Sequence, residues 1–562
     1  MIKRVCILLL AALLAASCFA CRNQTADAPE VEDRPAVTDG PVQTQAPDPT
    51  AEPDREYVLS DPLLQSAGEA PDNARVFYEI FVGSFADSNG DGVGDLRGII
   101  EKFDYLNDGD PDSGKSLGIE GIWLTPIFQS PSYHKYDVTD YYAIDPQFGT
   151  QADLDELIAL CHSRGVKLIL DMVINHTAKE CAWFKAFTKA HRDNDTSSPY
   201  YDFYSYYTKG QAAPSGRAFA ALSGTDVYYE CNFYDGMPEL NFDSPAVREE
   251  VLNISRYYLD RGIDGFRYDA AKYVYYGDHK QSLAYWQEYL TTLRQEYPGL
   301  YTVAEVWDGD GITAIYYPAT NCFNFTVSQP EGRFAETAQQ GNAGVLTRYV
   351  EQYLASIAGT NPDAMFVPFL SNHDMDRVAG YLTVASGAMR MAANLYIPGP
   401  GSPFLYYGEE LGMRGSRGGA NTDANRRLAM IWGDGNTVKD PVGTTYKKDN
   451  QIQDGALAQM EDPDSLYNYY KKLIMIRKAN PAIARGEYKA VSVDGSKVGG
   501  FVSTWQGTSV LVLHNPSRST KTVDLAQFGA FTALRAVIGV GSAQLNGSLL
   551  TLEGQTSVVM GQ

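Results

Sequence analysis

Cations are scarce in this 562-residue chain: 46 lysines and arginines stand against 69 acids, a formal net charge of −23. Phosphate binding needs clustered Lys and Arg, and no basic stripe occurs, which argues against nucleic acid as a partner. An acidic chain suits a neutral substrate or metal cations. Long apolar runs are scarce too. Only Val5 to Ala16 stands out, and it is too short to cross a bilayer as a mature helix. Cysteine is sparse, with 7 in all. Cys161, Cys181, Cys231 and Cys322 match no zinc spacing. Cys161 sits in a helical pattern as a small core residue. Cys181 and Cys231 share a loop-rich excursion and are the one pair placed to bridge.

What is present points to an exported globular protein. A hydrophobic content of 44% and 38 tyrosines give enough apolar matter for a packed fold, and the length accommodates a barrel-sized core plus an accessory domain. Residues 1–20 read as a signal peptide: Lys3 and Arg4 precede the apolar run, and small residues follow it. A small-residue run ending in Cys resembles a bacterial lipoprotein signal, with Cys18 and Cys21 as candidate anchors. Export to the cell surface on a lipid anchor is expected, with plain secretion as the alternative. Membrane contact is expected only through that anchor, and the protein is expected to be a monomer. Residues 22–72 carry 12 acids against 3 arginines, with six prolines before Asp54. Such a segment (21–72) cannot bury a core and reads as a solvated tether.

Beyond residue 73, β-like apolar runs recur at 76–82, 119–124, 167–173, 263–268, 300–306, 321–326, 364–370 and 403–407. Helical patterns lie between them, such as Gln151 to Arg164 after Thr150, and Pro245 to Arg261 after Ser244 with proline at the first helical position. Eight strands alternating with helices predict a parallel, closed (β/α)8 TIM barrel, spanning 73–176 and 243–485. The stretch 177–242 is far longer than a βα loop needs and is expected to form an inserted lobe. Residues 486–562 change to short alternating strands and predict an all-β sandwich.

Three strand-like runs end in a carboxylate: Asp269 closes Gly265-Phe266-Arg267-Tyr268-Asp269, Glu305 follows Val303-Ala304, and Asp374 follows His373. Barrels of this kind place catalytic groups at the C-terminal ends of different strands. Retaining glycosidases need two carboxyl groups about 5–5.5 Å apart, one a nucleophile and one an acid then a base. Arg267 stands two residues before Asp269 on the same strand face, where it favours the charged form. Glu305 stands beside apolar groups that raise a carboxyl pKa, as a proton donor requires.

These segments resemble the signature blocks of the α-amylase family of glycoside hydrolases. The blocks are Asp171-Met172-Val173-Ile174-Asn175-His176, Gly265 to Tyr273, Glu305-Val306-Trp307 and Phe369 to Asp374. Two further ones are Met237-Pro238-Glu239-Leu240-Asn241 and Gly401 to Glu410. The resemblance covers roughly 75 to 562. It implies Asp269 as nucleophile, Glu305 as acid/base and Asp374 as transition-state stabiliser, with Arg267 orienting Asp269. His176 and His373 would donate to sugar hydroxyls, Tyr136 would form the platform under that sugar, and Lys272 would lie toward the leaving group. Lys135 stands where the family usually has Gly.

Asp87, Asn89, Asp91, Val93 and Asp95 alternate around a glycine turn as hard oxygen donors, a calcium pattern in a block the family uses for calcium. Gly98 occupies the twelfth position, so the loop is not an EF-hand. Ala270 and Tyr133 resemble enzymes cutting α-1,4 bonds. The expected function is therefore retaining hydrolysis of α-1,4-glucosidic bonds in starch or malto-oligosaccharides, with an α-glucan as the binding partner. The alternatives are an α-glucosidase, an oligo-1,6-glucosidase or a glucanotransferase and, in another class, a non-catalytic glucan-binding lipoprotein.

Overall fold

The computed structural model describes residues 74–384 and 387–562. The expected signal peptide, its candidate anchors Cys18 and Cys21, and the tether lie outside the described residues. Among the described residues, no helix is long and apolar enough to cross a membrane. Two units are described separately: residues 178–241, and the remainder.

In the larger unit seven parallel strands form one sheet. In chain order they are Phe77–Ile80, Gly121–Leu124, Lys167–Met172, Gly265–Tyr268, Tyr301–Ala304, Asn321–Cys322 and Phe404–Tyr406, and the last pairs with the first. The expected run at 364–370 fills the remaining place between Asn321–Cys322 and Phe404–Tyr406, but only through two single bridges, Phe323 with Val367 and Phe369 with Phe404. Pro368 sits between them and has no N–H to give a ladder. Its carbonyl still accepts from Phe404 N at 3.0 Å. Counting this segment, the sheet is a (β/α)8 barrel.

The barrel strands are buried on both faces, which is why they read as continuous apolar runs. Phe77, Trp123, Ile169, Tyr301, Val303, Phe323, Val367, Phe369 and Phe404 pack inside as one cluster, and Phe77 stacks on Phe404 with ring centroids 4.6 Å apart. Gly121 is required beside that ring, because a Cβ there would fall 2.4 Å from Phe77. Around the barrel, helix Gln151–Ser163 begins in a capping box made by Thr150 and Asp153. Helix Pro245–Leu259 has proline in its first turn, but Ser244 makes no side-chain cap bond.

The C-terminal module is two antiparallel sheets. Five strands run in the order Glu487–Ser492, Gly499–Trp505, Thr508–Asn515, Thr556–Gly561, Ala533–Gly539. Three more run in the order Lys521–Asp524, Leu549–Leu552, Ala543–Asn546. Leu511, Leu513, Val523, Leu550, Leu552, Val558 and Met560 form the core of this module. It is tied to the barrel by Asn394 Nδ2 donating to Ile538 O at 3.2 Å and Ser503 Oγ to Ala482 O at 2.6 Å.

The smaller unit packs helix Ala182–Asp193 against one face of a three-stranded antiparallel sheet, with Val227–Glu230 central between Tyr206–Thr208 and Phe219–Ala221. Phe184 and Phe187 meet Tyr204, Tyr206 and Tyr229 there. The possible Cys181–Cys231 bridge does not form; both are buried free thiols, as are Cys161 and Cys322. Glu239 is buried against Asn232, and burial, then the neighbouring Glu230, pushes its carboxyl up to about 8.

Candidate active site

The barrel register sets Asp171 beside Arg267 on adjacent strands, and Val303 beside Arg267 on the other side. Arg267 therefore sits at the middle of the strand ends with its side chain only 1% exposed. Its Nη1 donates to both Asp171 oxygens at 3.0 and 3.2 Å and to Asp269 Oδ1 at 2.6 Å. Its Nη2 lies 3.3 Å from Glu305 Oε2. The guanidinium rests over the Trp123 ring, 5.0 Å from its centroid. Asp171 Oδ2 also accepts from Trp123 Nε1 at 3.2 Å and Tyr136 OH at 2.9 Å.

A second group of charges surrounds Asp374. His373 Nδ1 lies 2.6 Å from Glu79 Oε1, and His373 Nε2 lies 3.0 Å from Asp374 Oδ2 and 2.7 Å from Tyr136 OH. Burial works against a charged ring, but Asp374 and Glu79 outweigh it and push the His373 pKa up to about 10. As an imidazolium it donates from both nitrogens, which leaves Tyr136 OH free to donate onward to Asp171. The Tyr136 ring stacks on His373 at 5.2 Å. Burial would raise the Asp374 carboxyl, but His373 and Arg427 hold it well below the usual carboxylate range. Burial pushes Asp269 and Glu305 up, with Arg267 opposing in each case.

Of the other expected residues, His176 reaches the same region and places Nε2 3.2 Å from the Tyr136 carbonyl oxygen. Burial lowers its pKa to about 4, so the ring is neutral and Nε2 is the donor. The ring N–H groups of both histidines are thus engaged within the protein. Lys272 turns to the segment after the fifth strand, where Nζ donates to Trp307 O at 2.7 Å and Asp308 Oδ2 at 3.1 Å. Lys135 keeps the left-handed backbone a glycine would favour, with φ 66, and is held there by a buried ion pair to Asp145 at 2.8 Å.

A family model described as alpha amylase, catalytic domain, matches residues 79–486. The chain belongs to the alpha-amylase family. It is similar to Alpha-amylase 3 of Dictyoglomus thermophilum, 37% identical over 450 residues that make up 80% of this chain and 85% of that protein. It is also similar to the oligo-1,6-glucosidase of Bacillus cereus, 30% identical over an alignment of 523 residues that covers 78% of this chain and 90% of that protein. Among solved structures, Eubacterium rectale Amy13B aligns with a TM-score of 0.80 at 35% identity, covering 87% of this chain and 96% of its own. The alpha-amylase from H. orenii aligns at 0.76 and 33%, covering 87% and 100%. The protein is a glycoside hydrolase of the alpha-amylase family.

The loop expected to take calcium is a tight turn preceding helix Leu96–Glu101. Asp87 Oδ1 accepts from Gly90 N at 2.8 Å and its Oδ2 from Gly92 N at 2.8 Å and Thr437 Oγ1 at 2.6 Å. Asn89 Oδ1 accepts from Asp91 N, Asp91 Oδ1 from Val93 N, and Asp95 Oδ1 caps the helix at Gly98 N. The donor set is all hard oxygen, which fits calcium chemistry. The carboxylates are turned on the loop's own amides, and among the described residues no group of three or more His, Cys, Asp or Glu side chains is placed to share a metal ion.

Sequence reasoning missed three members of the alpha-amylase site. Asp171 and Glu79 are acids inside the apolar runs 167–173 and 76–82, each one residue before its strand ends; both carried a visible signal. Arg427 lies in an irregular segment with no period to place it.

Removing Asp171 strands part of the Arg267 charge in a dry site, and breaking a buried ion pair from one side costs about 3–5 kcal/mol. Asp171→Ala is expected to lower the urea unfolding midpoint accordingly, with Asp171→Asn, which keeps the shape, losing less. A midpoint unchanged in Asp171→Ala would remove Asp171 as the anchor of Arg267.

Proposed function

We propose that the chain hydrolyses α-1,4-glucosidic bonds of starch or malto-oligosaccharides with retention of anomeric configuration. Asp269 attacks the anomeric carbon while Glu305 protonates the departing glycosidic oxygen. Glu305 then takes a proton from the water that releases the sugar from Asp269. Asp374, held as a carboxylate between His373 and Arg427, stabilises the oxocarbenium-like positive charge. The observation that carries this reading is that Asp269 and Glu305 contact opposite ends of one guanidinium. Such sharing favours the short carboxyl separation, about 5–5.5 Å, on which retention depends. Ala270 and Tyr133 support the α-1,4 assignment. The oligo-1,6-glucosidase relatives keep α-1,6 cleavage as the second reading.

Free-enzyme kcat/KM should rise as Asp269 loses its proton and fall as Glu305 loses its own. Both carboxyls are raised, so the bell should lie above the ordinary values of about 3.9 and 4.3. Glu305→Gln is expected to cost about 10²–10⁴-fold in kcat and to erase the alkaline limb. Proton NMR of fresh products from amylose, maltotriose and pullulan should show the α-anomer, with amylose preferred. Unchanged hydrolysis in Glu305→Gln, or β-products, would defeat the mechanism, and pullulan as the best substrate would favour the second reading.

Calcium belongs to the proposal through the alternating oxygens of Asp87, Asn89, Asp91, Val93 and Asp95; there it would brace the loop and take no part in bond cleavage. An ion that binds only the folded state adds about 2.7 kcal/mol at 100 times its Kd. Calcium should therefore raise Tm in EGTA-treated protein, and Asp91→Ala should abolish the gain. A Tm indifferent to calcium would sink it.

Export and lipid anchoring complete the reading, supported by Lys3, Arg4 and the apolar run before Cys18 and Cys21. Mass spectrometry of the mature N-terminus should find a diacylglyceryl group on one of these cysteines. An unmodified N-terminus after residue 20 would make the protein secreted instead.

A further inference from the structure

The three carboxylates of the site do not share the same backbone support. Asp269 N is tied to Met172 O at 3.2 Å and Glu305 N to Tyr268 O at 2.9 Å, each at the end of a strand laddered to both neighbours. Asp374 follows the segment that Pro368 reduces to two bridges, and 32% of its side chain is open to solvent. A carboxylate so placed needs side chains to fix it.

We infer that Arg427 is the positioning residue that holds the Asp374 carboxylate, and that Arg377 anchors the segment from which Arg427 acts. Each nitrogen of the Arg427 guanidinium is engaged. Nη2 donates to Asp374 Oδ1 at 2.6 Å, Nε to the His373 carbonyl at 3.0 Å, and Nη1 to Tyr133 OH at 3.0 Å. The residue is 5% exposed, and its guanidinium lies over the Phe81 and Tyr133 rings at 5.5 and 5.7 Å. The neighbouring Arg426 donates from Nη1 to the Asp374 carbonyl at 2.7 Å and from Nε to Asp376 Oδ1 at 2.7 Å. Main chain and side chain of Asp374 are therefore gripped from one dipeptide.

That dipeptide lies in an irregular stretch after the last barrel strand and is itself anchored. Arg377 Nε donates to the Arg426 carbonyl at 2.9 Å and its Nη1 to the Tyr407 carbonyl at 2.6 Å. Its guanidinium lies 4.5 Å from the Tyr406 ring and 4.5 Å from that of Tyr407. Tyr406 OH donates to the same Arg426 carbonyl at 3.2 Å. The relay runs from Tyr406 and Tyr407 through Arg377 to Arg426 and Arg427, and so to Asp374. A forked guanidinium fixes a carboxylate in direction as well as place, which a lysine cannot do.

The inference rests on the hydrolase reading for its kinetic outcome but not for its structural one. The test compares wild type, Arg427→Met, Arg427→Gln and Arg427→Lys on malto-oligosaccharides, with a crystal structure of each neutral variant that folds. Misplacing a reacting group by about 1 Å costs on the order of 10²-fold, so both neutral variants should lose about that much kcat with a smaller change in KM. The acidic limb, which in wild type follows Asp269, should also move up, because Asp374 loses a facing cation and its own ionisation then adds to the limb, while His373, Arg267, Asp269, Glu305, Tyr136, Tyr133 and His134 still face it. Arg427→Lys should restore part of the kcat and return the limb toward wild type. In the crystal the Asp374 carboxylate should be displaced or split between positions. Wild-type kcat and acidic limb in the neutral variants, or an Asp374 unmoved in their crystals, would overturn the inference. If wild type itself cuts no glucan, the hydrolase reading falls, and the position of Asp374 in the variant crystals still decides the role of Arg427.

Discussion

Everything at the mouth of this barrel is arranged around the buried guanidinium of Arg267. A charge taken out of water is costly unless it is paired and hydrogen-bonded, and Arg267 meets that demand by collecting Asp171, Asp269 and Glu305. The collection has a consequence of its own. Glu79, Asp171, Asp269, Glu305 and Asp374 face only Arg267, Arg427 and a protonated His373, so carboxylates outnumber cations. Such a site holds a proton more tightly than isolated acids would. Where the proton goes is decided by contact: Asp374 touches two cations at 2.6 and 3.0 Å, and Asp269 touches one at 2.6 Å. Glu305 reaches the same cation only at 3.3 Å and otherwise accepts from the neutral amide of Ala270 at 2.9 Å. Glu305 is the weakest stabilised anion of the three, which supports the proton-carrying role proposed for it.

Local backbone chemistry supports that division. Ala270 holds φ 49, a left-handed conformation that carries a cost for a residue with a Cβ. The turn it makes aims its own N–H at Glu305 Oε2 and brings Ala271 N to the Glu305 carbonyl. The residue after Asp269 thus ties the fourth strand's carboxylate to the fifth's. Strain kept at such a position is characteristic of sites whose surroundings over-determine them, and here the fourth and fifth strands, each laddered to both neighbours, do so.

Much of this could be read from the chain because barrel strands report themselves twice. They are apolar throughout, and the acid that breaks the apolar run marks the open end, as at Asp269 and Glu305. Asp171 and Glu79 interrupt their runs one residue before the strand ends, a related mark that points to the inner partners of Arg267 and His373. The seventh barrel position was readable as an apolar run but not as an incomplete ladder, although Pro368 was in plain view. Arg377, Arg426 and Arg427 were not readable at all. The partners through which they reach Asp374 and the last strand lie 30 to 54 positions away along the chain, and nothing in local periodicity encodes a contact of that range.

That contrast bears on how relatives with one scaffold come to carry different names. Proteins called alpha-amylase, oligo-1,6-glucosidase and trehalose synthase/amylase align with this chain at 29–37% identity over at least 78% of it. The strand-end acids are tied into the hydrogen-bonded sheet, so they can change little without breaking the barrel. Tyr133, Lys135, Lys272 and Arg427 stand on connecting segments, where substitution disturbs no ladder. Asp374 is the one acid that belongs to both regimes, since its strand is incomplete and its support comes from such a segment. A change in that segment can therefore shift the Asp374 carboxylate while leaving the backbone ties of Asp269 and Glu305 untouched.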